Sequence, residues 1–186
     1  MGQMTELFKE RFEAIAHKAV LQGLTDSPSM KPTSVEWVEQ IPAHWTQKRF
    51  KFVGLVRSWK TEESYGESNR YGRYSRGRFP VSLEEERFDL VITRRGMKAK
   101  PFEGEEPKSL LLINFFQNQN LDYWQFYLNS NFAQNWLRRE SAMNESLTVE
   151  MVRNLPVFEP PLEEQVQIAQ VLSAEAQRTQ RLLEIF

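Results

Sequence analysis

The stretch NLPVFEPPLEEQ at residues 154–165 constrains the fold of this chain more than any other. Pro160 and Pro161 lack amide hydrogens and push the residues before them toward extended geometry, so no helix continues backwards through them. Glu163 and Glu164 then put negative charge into a first helical turn, where the helix dipole favours it. The sequence predicts a strand-like segment delivered at a fixed angle into a long helix. Beyond Gln165 there is neither glycine nor proline, and the chain closes on Leu182, Leu183, Ile185 and Phe186. Such an apolar close calls for a partner surface or for more chain.

Within that helix Ala169, Leu172, Ala176, Thr179, Leu183 and Phe186 recur at alternating gaps of three and four, the spacing of a coiled-coil seam. Two readings follow: an amphipathic helix packed on a domain, or one member of a helix pair. A possible second member is residues 5–22. Thr5 is a plausible N-cap, Phe8, Phe12, Ile15 and Ala19 form one apolar stripe, and Gly23 with Leu24 suits a left-handed stop. Paired antiparallel, each helix would run about 30 Å at ~1.5 Å per residue.

Between them the chain reads as one domain. The 186 residues, 40% hydrophobic and 12% aromatic, suffice for one sizeable core. There is no cysteine, hence no disulfide or thiol chemistry. No apolar run approaches the roughly 18 residues of a membrane span, and an intracellular, cytoplasmic protein is expected. Residues 25–34 read as loop, and 35–45 as an extended segment anchored by Trp37, Ile41, Pro42 and Trp45. Residues 46–57 fit strand or short helix equally. Residues 61–78 read as a long loop, 88–93 and 109–116 as buried strands, and 121–139 as two helices broken near Asn129. A short helix at 149–154 leads into Leu155 and Pro156.

Net charge is −1, but residues 48–100 hold 14 Lys/Arg against 7 Asp/Glu, while the rest holds 10 against 18. Segregation of this size is a footprint for a polyanion. Two clusters dominate it. The segment NRYGRYSRGR carries Arg70, Arg73, Tyr74, Arg76 and Arg78 without an acid, and is either a solvated loop or a DNA contact. Arg94, Arg95, Lys98 and Lys100 follow a strand, with Gly96 at the turn. Arg57 and Lys60 flank Trp59 as a weaker third group. Arginine can bridge phosphates or present a bidentate fork to guanine. The run Glu84–Glu86 reads as a solvated turn, and no metal site is expected. Catalysis fails on inventory: His17 and His44 are the only histidines, neither has a convincing partner in sequence, and no Walker-type loop or nuclease motif is present.

Several pieces, in order, resemble the specificity (S) subunit of Type I restriction–modification systems. AIAHKAVLQGL looks like the close of that family's long conserved helix, and MKPTSVEWVEQIPAHW like the lead-in to a target-recognition domain. FDLVITRRG and LDYWQFYLNSNFAQNWL resemble the middle of that domain, and LTVEMVRNLPVFEPPLEEQVQIAQVL its exit into the next conserved helix. A full member alternates two recognition domains with two antiparallel helices; this chain matches one domain, as a half-size subunit or a fragment would.

The resemblance implies an α+β fold. A recognition domain at 35–158, with a small mixed sheet and short helices, would sit between conserved-region helices at 1–24 and 160–186 that pair as a coiled-coil-like stalk. It implies a non-catalytic reader of one half of a bipartite double-stranded DNA target. Its partners would be a methyltransferase (M) subunit using S-adenosylmethionine and an ATP-driven restriction (R) subunit, with no cofactor on this chain. A homodimer through the terminal helices would predict a palindromic target. Two alternatives remain: an assembly or interference protein that docks on the methyltransferase subunit without reading DNA, and a non-specific RNA binder.

Overall fold

The computed structural model of the protein describes residues 2–25, 29–58, 88–103, 110–116, 119–142 and 146–185. Two long helices carry its ends, α1 (Gly2–Gln22) and α5 (Leu162–Ile185). Thr5 lies inside α1 rather than capping it, because no proline at 2–4 forces a later start. At the far end Gly23 adopts φ +77° and its amide donates to the Ala19 carbonyl at 3.1 Å, the expected left-handed stop.

The helices run antiparallel. Gly23, just past the end of α1, sits against Glu164 in the first turn of α5. Toward the opposite ends, Phe8, Phe12 and Ile15 share a small cleft with Glu175, Thr179 and Leu182. Both readings of the terminal helix hold in part. Ala169 and Leu172 are buried in the domain core with Ala19, whereas Ala176, Thr179 and Leu183 are half-buried. Phe186 lies outside the described residues.

The domain contains three small sheets among the described residues. A hairpin pairs β1 (Met30–Pro32) with β2 (Gln40–Pro42), so the segment that composition marks as loop contains a strand. β3 (Thr46–Arg49) pairs with β8 (Pro156–Glu159), the strand-like lead-in to α5. Residues 46–57 turn out to be both alternatives at once: β3, a 3-10 turn at Phe50–Phe52, and β4 (Gly54–Ser58). The main sheet has the order β4, β7 (Leu110–Phe115), β5 (Leu90–Thr93), β6 (Ala99–Pro101). Every pairing is antiparallel, which corrects the expected mixed sheet. The short β5–β6 connection can only return the chain antiparallel, and a parallel pair would need a long crossover.

The main sheet is covered on both faces. Val56, Leu90, Ile92, Leu111, Ile113 and Ala99 enter the main core, while Val91, Leu110 and Leu112 join Phe88 and Phe102 in a second cluster. Burial on both faces explains why β7 reads as an unbroken apolar run. Two helices with short loops, α2 (Leu121–Asn129) and α3 (Asn131–Glu140), follow. They break where Ser130 takes extended geometry and its hydroxyl accepts the Ala133 amide as the cap of α3. α4 (Val149–Asn154) then stops at Leu155, as expected.

The double proline and the two residues after the acidic pair's first member hold the lead-in together. Glu164 Oε2 accepts from Trp45 Nε1 at 3.0 Å and lies 2.8 Å from His44 Nε2. Gln165 is buried: its Oε1 accepts the Asn120 amide at 3.0 Å and its Nε2 donates to the Pro160 carbonyl at 3.0 Å. Asn120 in turn caps α2 through the Tyr123 amide. A Cβ on Gly23 would stand 2.8 Å from Glu164 Oε1 and 3.3 Å from Trp45. Gly23→Ala should therefore lower stability by more than the ~1–2 kcal/mol of a left-handed alanine alone, read as a shift in the urea midpoint at unchanged slope.

Tyr123 and Tyr127 hold β8 from below. Tyr123 donates to the Phe158 carbonyl and Tyr127 to the Pro156 carbonyl, each at 3.1 Å. Burial pushes both phenols well above their ordinary value of 10.0. A raised folded value means that the neutral phenol favours the fold. That stability is fully present below pH 10 and is lost as pH rises above it, because the unfolded tyrosines ionise first. An alkaline titration should show two tyrosines that ionise only together with unfolding; free ionisation near pH 10 in the folded protein would contradict this packing.

Candidate nucleic-acid interface

Of the basic residues singled out by sequence, Arg57, Arg94, Arg95, Lys98 and Lys100 lie on the main sheet and the turn that joins β5 to β6. Across the sheet Arg57 pairs with Leu112, Leu112 with Val91, and Val91 with Lys100. Residues in register share a face, so one row carries a cation on each edge strand and two buried apolar residues between. Three strand spacings of ~4.8 Å set the two cations' backbones about 14 Å apart.

The β5–β6 turn is held from several sides. The Met97 amide donates to the Thr93 carbonyl at 2.8 Å, and the Thr93 amide to the Lys98 carbonyl at 3.1 Å. Asn129 accepts from the Ala99 amide and donates to its carbonyl, at 3.0 and 2.8 Å. Gln134 Nε2 donates to the Met97 carbonyl at 2.7 Å. Gly96 lies in this turn, as expected, and Met97 takes its left-handed position, at φ +55°. Arg95 and Lys98 stand exposed on this clamped turn.

Arg94 differs from its neighbours. Its Nη1 donates to the Leu147 carbonyl at 3.0 Å and its Nη2 to Ser58 Oγ at 2.6 Å. Partial burial lowers its pKa. Of the remaining residues singled out by sequence, Trp59, Lys60, Arg70, Arg73, Tyr74, Arg76, Arg78 and the Glu84–Glu86 run lie outside the described residues. The two ends of that stretch are known: it leaves from Ser58 at the end of β4 and returns at Phe88.

A second basic and aromatic surface was not foreseen from sequence. An open groove of about 810 Å³ is lined by Trp37, Phe52 and Trp136 together with Lys48, Arg49, Lys51 and Arg139. Trp37, expected to anchor its segment, is 53% exposed at φ +76° and lies under the Arg139 guanidinium at 4.9 Å. Its companions Ile41, Pro42 and Trp45 are buried as expected. Arg139 also pairs with Glu36 at 2.8 Å, and Lys48 with Glu159. Lys48, Arg49 and Lys51 lie within the basic third of the chain, so their charge was visible in the sequence. Their meeting with Trp37 and α3 was not, because it joins positions about a hundred residues apart.

His44 finds the acidic neighbour that its local sequence lacks, but Glu164 also accepts from Trp45 and ties structure together. His17 has its pKa lowered by partial burial. Among the described residues no group of three or more His, Cys, Asp or Glu could hold a metal, and no helix is long and apolar enough to cross a membrane.

No family model and no curated protein matches the chain. Solved structures do match. The HsdS subunit from Thermoanaerobacter tengcongensis aligns over 99% of this chain and 47% of its own, at 12% identity and a TM-score of 0.61. The S subunit of a Type I restriction-modification system from M. genitalium aligns over 98% and 51%, at 11% identity and 0.61. A chain from a structure of the type I R-M system, described for its complex assembly and conformational transition, aligns over 97% and 47%, at 13% identity and 0.60. The chain spans about half the length of these structures. At such identities the likeness is one of fold, and it is the fold that the sequence resemblance implied.

Proposed function

We propose that this chain acts as a sequence-specific DNA reader of the Type I specificity-subunit kind. The observation that carries the proposal is the shared fold with S subunits over 97–99% of the chain. The basic residues of the main sheet and its turn support it. Arg95 and Lys98 are exposed on a clamped turn, suited to phosphates, where rigid placement sets the register of the protein on the duplex. Arg57 and Lys100 stand apart by a distance close to the ~12 Å width of the major groove. The arginines of 70–78 would supply further phosphate contacts and direct reading of guanine.

In this reading the domain recognises one half of a bipartite target, and α1 with α5 act as spacer and docking surface. A methyltransferase subunit would bring S-adenosylmethionine and a restriction subunit ATP; this chain would hold no cofactor and do no chemistry. It would work in the cytoplasm. A two-fold dimer through the terminal helices would read a palindrome.

Selection from a randomised duplex pool, with and without a methyltransferase subunit, tests the proposal. A recovered consensus is expected, bound ~10³-fold or more above unselected duplex. Binding should weaken steeply with salt as phosphate contacts release counterions. Absence of any consensus, with methyltransferase docking intact, would overturn it in favour of an assembly or interference protein. Tighter binding to single-stranded RNA than to duplex DNA would favour the RNA-binding alternative.

A further inference from the structure

The sequence groups Arg94 with the DNA contacts, but its side chain turns inward. One guanidinium nitrogen donates to the Leu147 carbonyl and another to Ser58 Oγ, and the Arg94 carbonyl accepts the Leu147 amide at 3.0 Å. Three segments thus meet on one residue: the end of β4, the turn between β5 and β6, and the stretch leading to α4. The neighbours of this junction carry charge, exposed at Arg95 and Lys98 and half-buried at Arg57. Arg57 directly precedes Ser58, Arg95 directly follows Arg94, and Lys98 closes the turn on Thr93.

We infer that Arg94 is a positioning residue, which fixes Arg57 relative to Arg95 and Lys98 and makes no contact of its own with DNA. The inference rests on reading the domain as a DNA recogniser. A planar guanidinium suits the task, because it meets two acceptors from different segments at a fixed angle, whereas a lysine ammonium is a point charge without that fork. These bonds hold the guanidinium against Ser58 and Leu147, and if it swung out to a phosphate the partly buried carbonyl at Leu147 would lose a charged donor. Sequence discrimination depends on where the neighbouring cations stand, so the brace acts on specificity more than on the electrostatic part of affinity.

The test compares Arg94→Met, Arg94→Lys, Ser58→Ala and Arg95→Ala in the full chain. Each is titrated across a salt series with duplex recovered from the randomised pool and with unselected duplex from the same pool. Arg95→Ala should reduce the salt slope by about one, as a lost phosphate contact does. Arg94→Met and Ser58→Ala should leave the slope unchanged and lower the preference for selected duplex about tenfold. Arg94→Lys should fall with them despite its retained charge. A slope reduced by about one in Arg94→Met, with Ser58→Ala unaffected, would make Arg94 a phosphate contact and overturn the inference.

Hydrogen exchange supplies a readout independent of DNA. The amides of Met97 and Leu147 should exchange faster in Arg94→Met, and unchanged protection would remove the brace even where DNA binding behaves as proposed. Ser58→Ala removes the hydroxyl that Arg94 meets and leaves Arg94 itself in place, and carries the comparison should Arg94→Met fail to fold. A wild-type chain without sequence preference would instead defeat the DNA-reading proposal, while faster exchange would still establish the junction.

Discussion

Replacing Arg73, Arg76 and Arg78 together with alanine is expected to lower affinity for duplex DNA by about two to three orders of magnitude near physiological salt. Three cations stand within six positions, with glycine at 77 and no acid among them. If all three contact phosphates, the slope of log affinity against log salt should shrink by about three, roughly 0.9 per contact. If one reads guanine instead, the slope shrinks less and preference relaxes at one base position, by ~1–3 kcal/mol. The fold is expected to stay intact, so circular dichroism and the unfolding midpoint should not move. Unchanged binding would clear the segment of the role, and would shift attention to Arg57, Arg95, Lys98 and Lys100 on the sheet and its turn.

Trp124→Ala should have the largest effect on stability, about 3–5 kcal/mol. Trp124 is fully buried and touches four rings. It stacks on Phe115 at 5.9 Å and 21°, and meets Phe50 edge-on at 5.9 Å. Tyr123 lies at 5.1 Å and Tyr127 at 5.3 Å between centroids. Its Nε1 donates to Gln119 Oε1 at 2.7 Å, and Gln119 also accepts from Gln165. The residue therefore joins the main sheet, the 3-10 turn, α2 and the start of α5. Truncation leaves a cavity among aromatic rings that cannot collapse into it, and takes from Gln119 Oε1 the shorter of its two hydrogen bonds. Against a typical total of 5–15 kcal/mol this is a large share, so thermal unfolding should shift by many degrees. Trp124→Phe retains the ring and loses the hydrogen bond, and should cost about 1–2 kcal/mol. A small loss in Trp124→Ala would contradict the packing described.

Much of this architecture was legible in the chain. The broken helix at 121–139, the strands at 90–93 and 110–115 and the stop at Leu155 follow from local periodicity and breakers. Residues 46–57 were ambiguous because a strand, a 3-10 turn and another strand are packed into twelve positions, too few for any period to declare itself. The β1–β2 hairpin was missed because three-residue strands ending in proline carry no strand pattern. Trp37 was misjudged because a tryptophan is usually buried; here its left-handed backbone turns it outward beneath Arg139.

The candidate interface was legible as charge and not as geometry. Arg94, Arg95, Lys98 and Lys100 look equivalent in sequence, four cations in seven positions. Tertiary contacts separate them: Arg94 is engaged inward by Ser58 and Leu147, Arg95 and Lys98 are exposed, and Lys100 lies across the sheet from Arg57.

The PPLEEQ lead-in shows where the two kinds of information divide. The prolines and the acidic first turn determine that an extended segment ends and a helix begins, because their constraints act within a few bonds. Which contacts Glu164 and Gln165 make is decided only in three dimensions. Glu164 reaches His44 and Trp45, about 120 positions away, and Gln165 reaches Gln119 and Asn120. Such partners are brought together by burial of a common core, which depends on the whole chain at once, whereas backbone stereochemistry depends only on neighbours.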